Sequence, residues 1–130
     1  MPICFIEAPA IRTETKAKLV EQTTNALREA YQLNDYRVFI REYPPENVAQ
    51  DGRLQTEIRP ICFVEGPKIH VDLKSKLVAE LNAALEETYQ VQDVMIFLRE
   101  YPLENVGLRG RLQSNNPQVV EILKNLAASY

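Results

Sequence analysis

The feature that most constrains this chain is an internal repeat. Shifting the sequence by 58 positions aligns residues 2–55 with residues 60–113, and 29 of the 54 aligned pairs are identical. Two copies are too few for a solenoid, so we expect two equivalent units fused into one compact domain. The predicted division is a first repeat (1–55), a junction (56–59), a second repeat (60–113) and a C-terminal tail (114–130).

Each copy predicts a strand, a long helix and a second strand. The strand segments are ICFIEA (3–8), RVFIREY (37–43), ICFVEG (61–66) and MIFLREY (95–101), all rich in β-branched and aromatic residues. Between them, apolar side chains recur about every four residues, from Leu19 to Tyr31 and again from Leu77 to Tyr89. That spacing is typical of one buried face of a helix.

A helix of this length between two strands suits a right-handed parallel crossover. Two such units related by a pseudo-twofold predict an α/β fold: a four-stranded sheet with two helices on one face, plus a short C-terminal helix beginning near Asn116-Pro117. The strand positions assigned to the uncovered face are too apolar to stay in water, which predicts a homo-oligomer. Those positions are Cys4, Ile6, Phe39, Cys62, Val64 and Phe97.

Composition narrows the function classes. A formal net charge of −3 argues against nucleic-acid or membrane-surface partners, which usually select a basic excess. No apolar run is long enough to span a bilayer and no signal peptide is recognisable, so the expected location is the cytoplasm. Cys4 and Cys62 are interpreted as buried core thiols, and a single histidine makes a zinc site of the usual kind unexpected.

The first strand of each copy begins after a proline, but the two prolines differ chemically. If Met1 is removed, as expected before a small second residue, Pro2 carries a free secondary amine. Burial and nearby arginines disfavour the charged form of an amine, and a neutral amine can accept a proton from carbon next to a carbonyl. Pro60 cannot do this, because its nitrogen is part of a peptide bond.

The start MPI, a β-α-β unit of this size, an arginine ten residues after the proline and the RVFIREY strand resemble the tautomerase superfamily. More narrowly, the chain is similar to a fused, two-unit form of 4-oxalocrotonate tautomerase, and the similarity covers both copies but not the tail. The resemblance implies a cofactor-independent enzyme without a metal. It also implies proton transfer between enol and keto forms of a small 2-oxo carboxylate, and assembly as a homotrimer.

The same resemblance assigns site residues. It implies Pro2 as the general base, with Arg12 and Arg37 holding the carboxylate and polarising the carbonyl. Further substrate-binding candidates share the strand faces or replace the family's aromatic pocket wall; they are Arg41, Val48, Arg99 and Tyr101.

Comparison of the two copies supports one site per chain. Arg12 becomes His70, Arg37 becomes Met95, and Asp51 becomes Arg109 in the second copy. The unit with the free-amine proline therefore keeps both arginines that the family resemblance assigns. We interpret His70 as a surface residue at a helix start, with Thr13 and Asp72 as the expected helix N-caps.

Two other functions remain open at this stage. The first is hydration or dehalogenation of an unsaturated acid, with a protonated Pro2 as general acid and a carboxylate activating water. Glu7, Glu42 and Glu100 are available for that role, and nothing in the sequence favours one of them. The second is a catalytically silent oligomeric binding protein, in which Pro2 has no chemical role.

Overall fold

The computed structural model describes residues 2–54 and 57–128, with side chains described as far as Leu126. Each copy folds as strand, helix, strand and a short hairpin. The first contains β1 (Ile3–Ala8), α1 (Thr13–Tyr31), β2 (Arg37–Glu42), β3 (Ala49–Gln50) and β4 (Arg53–Leu54). The second contains β5 (Ile61–Gly66), α2 (Val71–Tyr89), β6 (Met95–Glu100), β7 (Gly107–Leu108) and β8 (Arg111–Leu112). Helix α3 (Pro117–Ala128) ends the described chain.

The four long strands form one sheet in the order β2-β1-β5-β6. Pairing is parallel within each copy, as expected for a crossover connection, and antiparallel between β1 and β5 at the centre. Ile3 therefore faces both Arg37 and Glu65, whereas Glu7 faces Arg41 and Ile61. The predicted fold class is confirmed: two β-α-β units make a four-stranded sheet with both helices on one face, and a C-terminal helix follows.

The core lies between the helices and one face of the sheet. Cys4, Ile6 and Ala8 of β1 are fully buried against Leu19 and Leu27 of α1, and the second copy repeats the arrangement. Cys4 and Cys62 are buried free thiols whose Sγ atoms lie 3.3 Å apart, which confirms the prediction of core thiols. The hydrogen bond with Cys62, together with burial, raises the pKa of the Cys4 thiol well above its usual range.

The predicted assignment of strand residues to the open face was partly wrong. Cys4, Ile6, Cys62 and Val64 face the helices and are fully buried. The open face instead carries two stacked aromatic pairs, Phe5–Phe39 at 5.4 Å and Phe63–Phe97 at 5.3 Å between ring centroids. Phe39 is 50% exposed and Phe97 is 41% exposed, so this face still leaves large apolar rings uncovered.

The helix starts differ from prediction by one or two residues. Arg12 and His70 hold the N-cap positions, and the side chain of His70 accepts a hydrogen bond from the Asp72 amide at 2.9 Å. His70 is therefore buried at the start of α2 rather than on the surface as predicted. Within the described ranges, none of the helices combines the length and hydropathy needed to cross a bilayer.

Candidate active site at one end of the sheet

The antiparallel pairing of β1 with β5 gives the sheet two chemically different ends. We call one the Pro2 end, where β1 and β2 begin and β5 and β6 finish. The other is the Pro60 end, where β5 and β6 begin and β1 and β2 finish. A six-residue strand is roughly 20 Å long. Within one chain, side chains at the Pro2 end of the sheet and side chains at the Pro60 end therefore cannot act on the same small molecule.

Pro2 is held at the edge of the core beside β2. It is fully buried, and its carbonyl oxygen accepts a hydrogen bond from the backbone amide of Arg37 at 3.3 Å. The register of β1 and β2 fixes this contact, because Ile3 pairs with Arg37. The structure therefore brings together the two residues Pro2 and Arg37. Met1, whose predicted removal would free the Pro2 nitrogen, lies outside the described residues.

Arg37 is oriented by a neighbouring carboxylate. Its Nε donates to Asp35 Oδ1 at 3.0 Å and its Nη2 donates to Oδ2 at 3.1 Å. Asp35 adopts a left-handed backbone conformation, with φ of 65°, that aspartate tolerates better than most residues. The hydrogen bond from Arg37 lowers the pKa of Asp35, so the pair stays ionised at neutral pH.

A cleft of about 1060 Å³ opens next to this pair. We call it the Pro2 cleft because it lies at the Pro2 end of the sheet, although Pro2 itself is not one of its lining residues. The first copy lines it with Asn34, Asp35 and Arg37. The opposite wall comes from the second copy, through the β7–β8 hairpin and the segment leading to α3, and it includes Arg109 and Arg111. Three arginines against one aspartate give the cleft a formal charge of +2, although the whole chain carries −3. The cleft is therefore electrostatically suited to a small anion.

Arg109 and Arg111 are site candidates that sequence analysis missed. The signal was present, since Asp51 in the first copy becomes Arg109 in the second. What the sequence lacked was the placement of the hairpin: each copy's hairpin reaches the end of the sheet that holds the other copy's proline.

The remaining predicted residues divide between the two ends. Arg99 and Tyr101 lie at the Pro2 end: Arg99 pairs with Glu65 at 3.1 Å, and the Tyr101 amide donates to the Gly66 carbonyl at 2.9 Å. Glu65 is the neighbour of Ile3 across β1 and β5. Two strand spacings, about 10 Å, separate Arg99 from β1, which is within reach of a shared small-molecule site.

The other three predicted residues lie at the Pro60 end of the same chain. Arg12 follows β1 and precedes α1, Arg41 pairs with Glu7 at 3.4 Å near the end of β2, and Val48 follows a short 3-10 helix. A single chain does not bring them to Pro2.

The Pro60 end shows what the second copy has lost. Pro60 is buried like Pro2, but Met95 stands where Arg37 would be and is 56% exposed. Arg59 there approaches Asp93 at 3.7 Å, and a smaller cleft of about 430 Å³ contains Asp51 and Arg53. Arg53 and Arg59 against Asp51 give the smaller cleft a formal charge of +1, so its positive excess is smaller than that of the Pro2 cleft.

The carboxylates considered for water activation are all engaged elsewhere. Glu7 accepts from the Tyr43 hydroxyl at 2.7 Å and pairs with Arg41. Glu42 accepts from Lys16 at 2.7 Å and from the Ile11 amide at 2.9 Å, and these bonds lower its pKa. Glu100 forms an ion pair with Lys74. Among the described residues, no group of three or more histidine, cysteine, aspartate or glutamate side chains is arranged to hold a metal.

Comparison with known families matches the first copy of the chain. The family described as Tautomerase enzyme matches residues 2–57, and the second copy repeats this unit with 29 identities in 54 positions. A comparison with curated proteins finds no match.

Solved structures match over most of the chain. The Q0 fused 4-OT wild type symmetric trimer is 19% identical with a TM-score of 0.80, covering 88% of this chain and 98% of that one. The protein Pt0534 inactivated by 2-oxo-3-pentynoate is 22% identical with a TM-score of 0.76, covering 85% and 94%. N1, a member of the cis-3-chloroacrylic acid dehalogenase family, is 17% identical with a TM-score of 0.74, covering 95% and 99%.

Proposed function

We propose that this chain, whose residues 2–57 match the family described as Tautomerase enzyme and whose fold matches fused 4-OT structures, is a cofactor-independent tautomerase. It would move a proton between the enol and keto forms of a small 2-oxo carboxylate, with Pro2 as the general base. The observation that carries this proposal is the backbone hydrogen bond from the Arg37 amide to the Pro2 carbonyl, which sets Pro2 and Arg37 side by side at a cleft of formal charge +2.

The first step removes a proton from the substrate. With Met1 gone, the neutral secondary amine of Pro2 accepts a proton from the enol hydroxyl or from a carbon next to the carbonyl. Burial of Pro2 and the surplus of guanidinium groups both disfavour its protonated form, which keeps the amine available as a base.

The second step returns that proton to another position of the same molecule. Negative charge would develop on the substrate oxygen between the two steps, and Arg37 would stabilise it by hydrogen bonding. Asp35 holds the Arg37 guanidinium in one orientation, so little reorganisation is needed as the charge appears. The substrate's atoms and electrons are conserved throughout, because the proton only changes position.

The proposed assembly is a homotrimer packed through the open face of the sheet. Exposed rings of Phe39 and Phe97 on that face suit burial against another copy, and a fused 4-OT of the same fold is a symmetric trimer. Arg12, Arg41 and Val48 could contribute to a Pro2 site only from a neighbouring chain, since one chain holds them at the Pro60 end. Arg99 and Tyr101 can contribute within one chain.

Hydration or dehalogenation is a second candidate, favoured by the likeness to a member of the cis-3-chloroacrylic acid dehalogenase family. That chemistry requires a protonated Pro2 and a carboxylate free to activate water. Glu7 is bound by Tyr43 and Arg41, and Glu42 is bound by Lys16 and the Ile11 amide. Glu100 is paired with Lys74. These contacts favour the tautomerase.

The decisive experiment compares matched proline variants. Turnover of the enol form of a 2-oxo acid is followed by its ultraviolet absorbance in wild type, Pro2→Ala and Pro60→Ala proteins. We expect Pro2→Ala to lower kcat/KM by about 100-fold or more, the usual contribution of a general base, and Pro60→Ala to retain activity. Undiminished turnover in Pro2→Ala would remove the mechanism.

The pH dependence separates the remaining functions. Activity that rises with pH through the titration of the Pro2 amine fits a general base, and activity that falls fits the general acid of a hydratase or dehalogenase. A protein that binds 2-oxo acids but turns over neither these nor unsaturated acids would be the silent binding protein.

A further inference from the structure

The turn of the second copy's hairpin, between β7 and β8, contains a residue that is unusual for its backbone conformation. This two-residue turn is Arg109-Gly110, and the matching turn of the first copy is Asp51-Gly52. All four residues have positive φ: 54° for Arg109, 77° for Gly110, 53° for Asp51 and 81° for Gly52. Turns of this kind strongly favour Asn, Asp or Gly at the first position, because other side chains crowd the backbone there.

The second copy therefore places an arginine where the backbone selects against one, and the first copy shows that the favourable aspartate fits. Conformational cost of this kind concentrates at functional positions. Arg109 lies on the wall of the Pro2 cleft opposite Arg37, whereas Asp51 lies in the smaller cleft near Pro60.

The charges in the Pro2 cleft show what Arg109 supplies. Arg37 is neutralised by its bidentate pair with Asp35. Over residues 2–54 and 57–128, neither Arg109 nor Arg111 lies within ion-pair distance of a carboxylate. Arg111 has an arginine counterpart, Arg53, in the first copy, but Arg109 has an aspartate. Among the described residues, Arg109 is thus an unpaired cation that has no counterpart in the smaller cleft.

The field of Arg109 reaches the pair at the bottom of the cleft. The pKa of Asp35 is lowered chiefly by its hydrogen bond from Arg37, and the charge of Arg109 lowers it further. An anion entering the cleft would meet the same field.

We infer that Arg109, supplied by the hairpin of the second copy, is the substrate-binding residue that makes the Pro2 cleft selective for anions. This rests on the proposed function for the identity of the substrate, but the binding role does not depend on turnover. On this account, the second copy has lost its own base and is kept as the source of a binding residue for the first.

The test combines binding and turnover in four variants. Arg109→Asn removes the charge and suits the positive φ, Arg109→Lys keeps the charge, and Arg109→Asp copies the first hairpin. Asp51→Asn is the matched control, because it makes a similar change in the hairpin that faces away from the Pro2 cleft. Affinity for glutarate, an unreactive dicarboxylate used as the anionic probe, is measured by calorimetry with and without Pro2→Ala.

We expect Arg109→Asn to weaken glutarate binding about tenfold, the usual effect of one charge-assisted contact at a partly exposed site, with a larger loss in Arg109→Asp. In turnover of an anionic 2-oxo acid, the change should appear mainly in KM. Arg109→Lys should retain most of the affinity, and Asp51→Asn should match wild type. The thermal midpoint of Arg109→Asn should stay level or rise, since asparagine relieves the backbone.

Three results would overturn the inference: unchanged glutarate affinity in Arg109→Asn, an equal loss in Arg109→Lys, or an equal loss in Asp51→Asn. The last two would show that Arg109 only shapes the hairpin. Failure of the proposed function gives a different pattern. Turnover would then be absent or independent of Pro2, while the ranking of the variants in glutarate affinity would still decide the role of Arg109.

Discussion

Replacing Arg37 by methionine copies into the first unit what the second unit already has. Met95 occupies the equivalent strand position, with the same register against β5 that Arg37 has against β1. The substitution therefore keeps the backbone hydrogen bond to Pro2 and removes only the guanidinium group. The substitution tests whether the guanidinium group contributes to catalysis or to the stability of the fold.

The structure gives different magnitudes for the two roles. The side chains of Arg37 and Asp35 are 55% and 39% exposed, and ion pairs this exposed contribute little to the free energy of unfolding. The thermal midpoint should fall by no more than about 5 °C. Loss of a donor placed at a developing negative charge typically lowers kcat by about 100- to 1,000-fold. The substitution should therefore lower kcat strongly and change the thermal midpoint only slightly.

The assay measures kcat/KM with the enol form of a 2-oxo acid, alongside thermal unfolding followed by circular dichroism. Met95→Arg is the matched control and should leave activity unchanged, because Pro60 has no free amine. Near-normal activity of Arg37→Met would refute the role of Arg37, and a large loss of stability would show a structural role instead.

The ion pair with Arg37 lowers the pKa of Asp35, so the stabilising contribution of this pair is present above about pH 4 and is lost as the pH falls. The stability difference between wild type and Arg37→Met should shrink accordingly in acid.

Three further substitutions test the fold and the assembly. Gly66→Ala should lower the free energy of unfolding by about 1–3 kcal/mol in chemical denaturation, because a Cβ at this position would lie 2.9 Å from the buried Tyr31 ring. A change near zero would show that the Tyr31 ring can move. Tyr89→Phe should leave stability unchanged or raise it by up to about 1 kcal/mol, since within the described residues the buried hydroxyl has no hydrogen-bond partner; clear destabilisation would reveal one. Phe97→Asp on the open face should reduce a trimer to smaller species in sedimentation velocity. The control Val71→Asp, at an exposed apolar position on α2, should leave the trimer intact. An intact Phe97→Asp trimer would contradict the proposed interface.

Much of the fold could be predicted because the repeat and the two periodicities agree. The segments expected as first strands, 3–8 and 61–66, are strands with those bounds, and the helical stripes lie within α1 and α2. The choice of buried face failed because β1 is apolar on both sides: Ile3 and Phe5 alternate with Cys4 and Ile6. Period two separates the faces but does not show which one meets the helices. In the structure, Cys4 and Ile6 face the helices, and the aromatic ring of Phe5 lies on the open face, stacked on Phe39.

The candidate site was only partly accessible to sequence reasoning. Pro2 and Arg37 could be paired by the family resemblance, and the structure places them in contact. Arg12 lies at the opposite end of β1 from Pro2 because the strand Ile3–Ala8 runs between them. The position of Arg109 across the cleft from Arg37 depends on the antiparallel pairing of the two copies at the centre of the sheet. No local pattern specifies that pairing. The hairpins were also missed, since strands of two residues carry too little periodicity to recognise.

The central claim concerns the nitrogen of Pro2, and mass spectrometry tests it most directly. The protein expressed in cells is incubated with 2-oxo-3-pentynoate, the compound that inactivates Pt0534, and intact mass and peptide mapping then locate any adduct. We predict a chain without Met1 that gains one adduct, on the Pro2 nitrogen, with loss of activity in parallel. A chain that retains Met1, or an inactivated protein whose Pro2 is unmodified, would contradict the account.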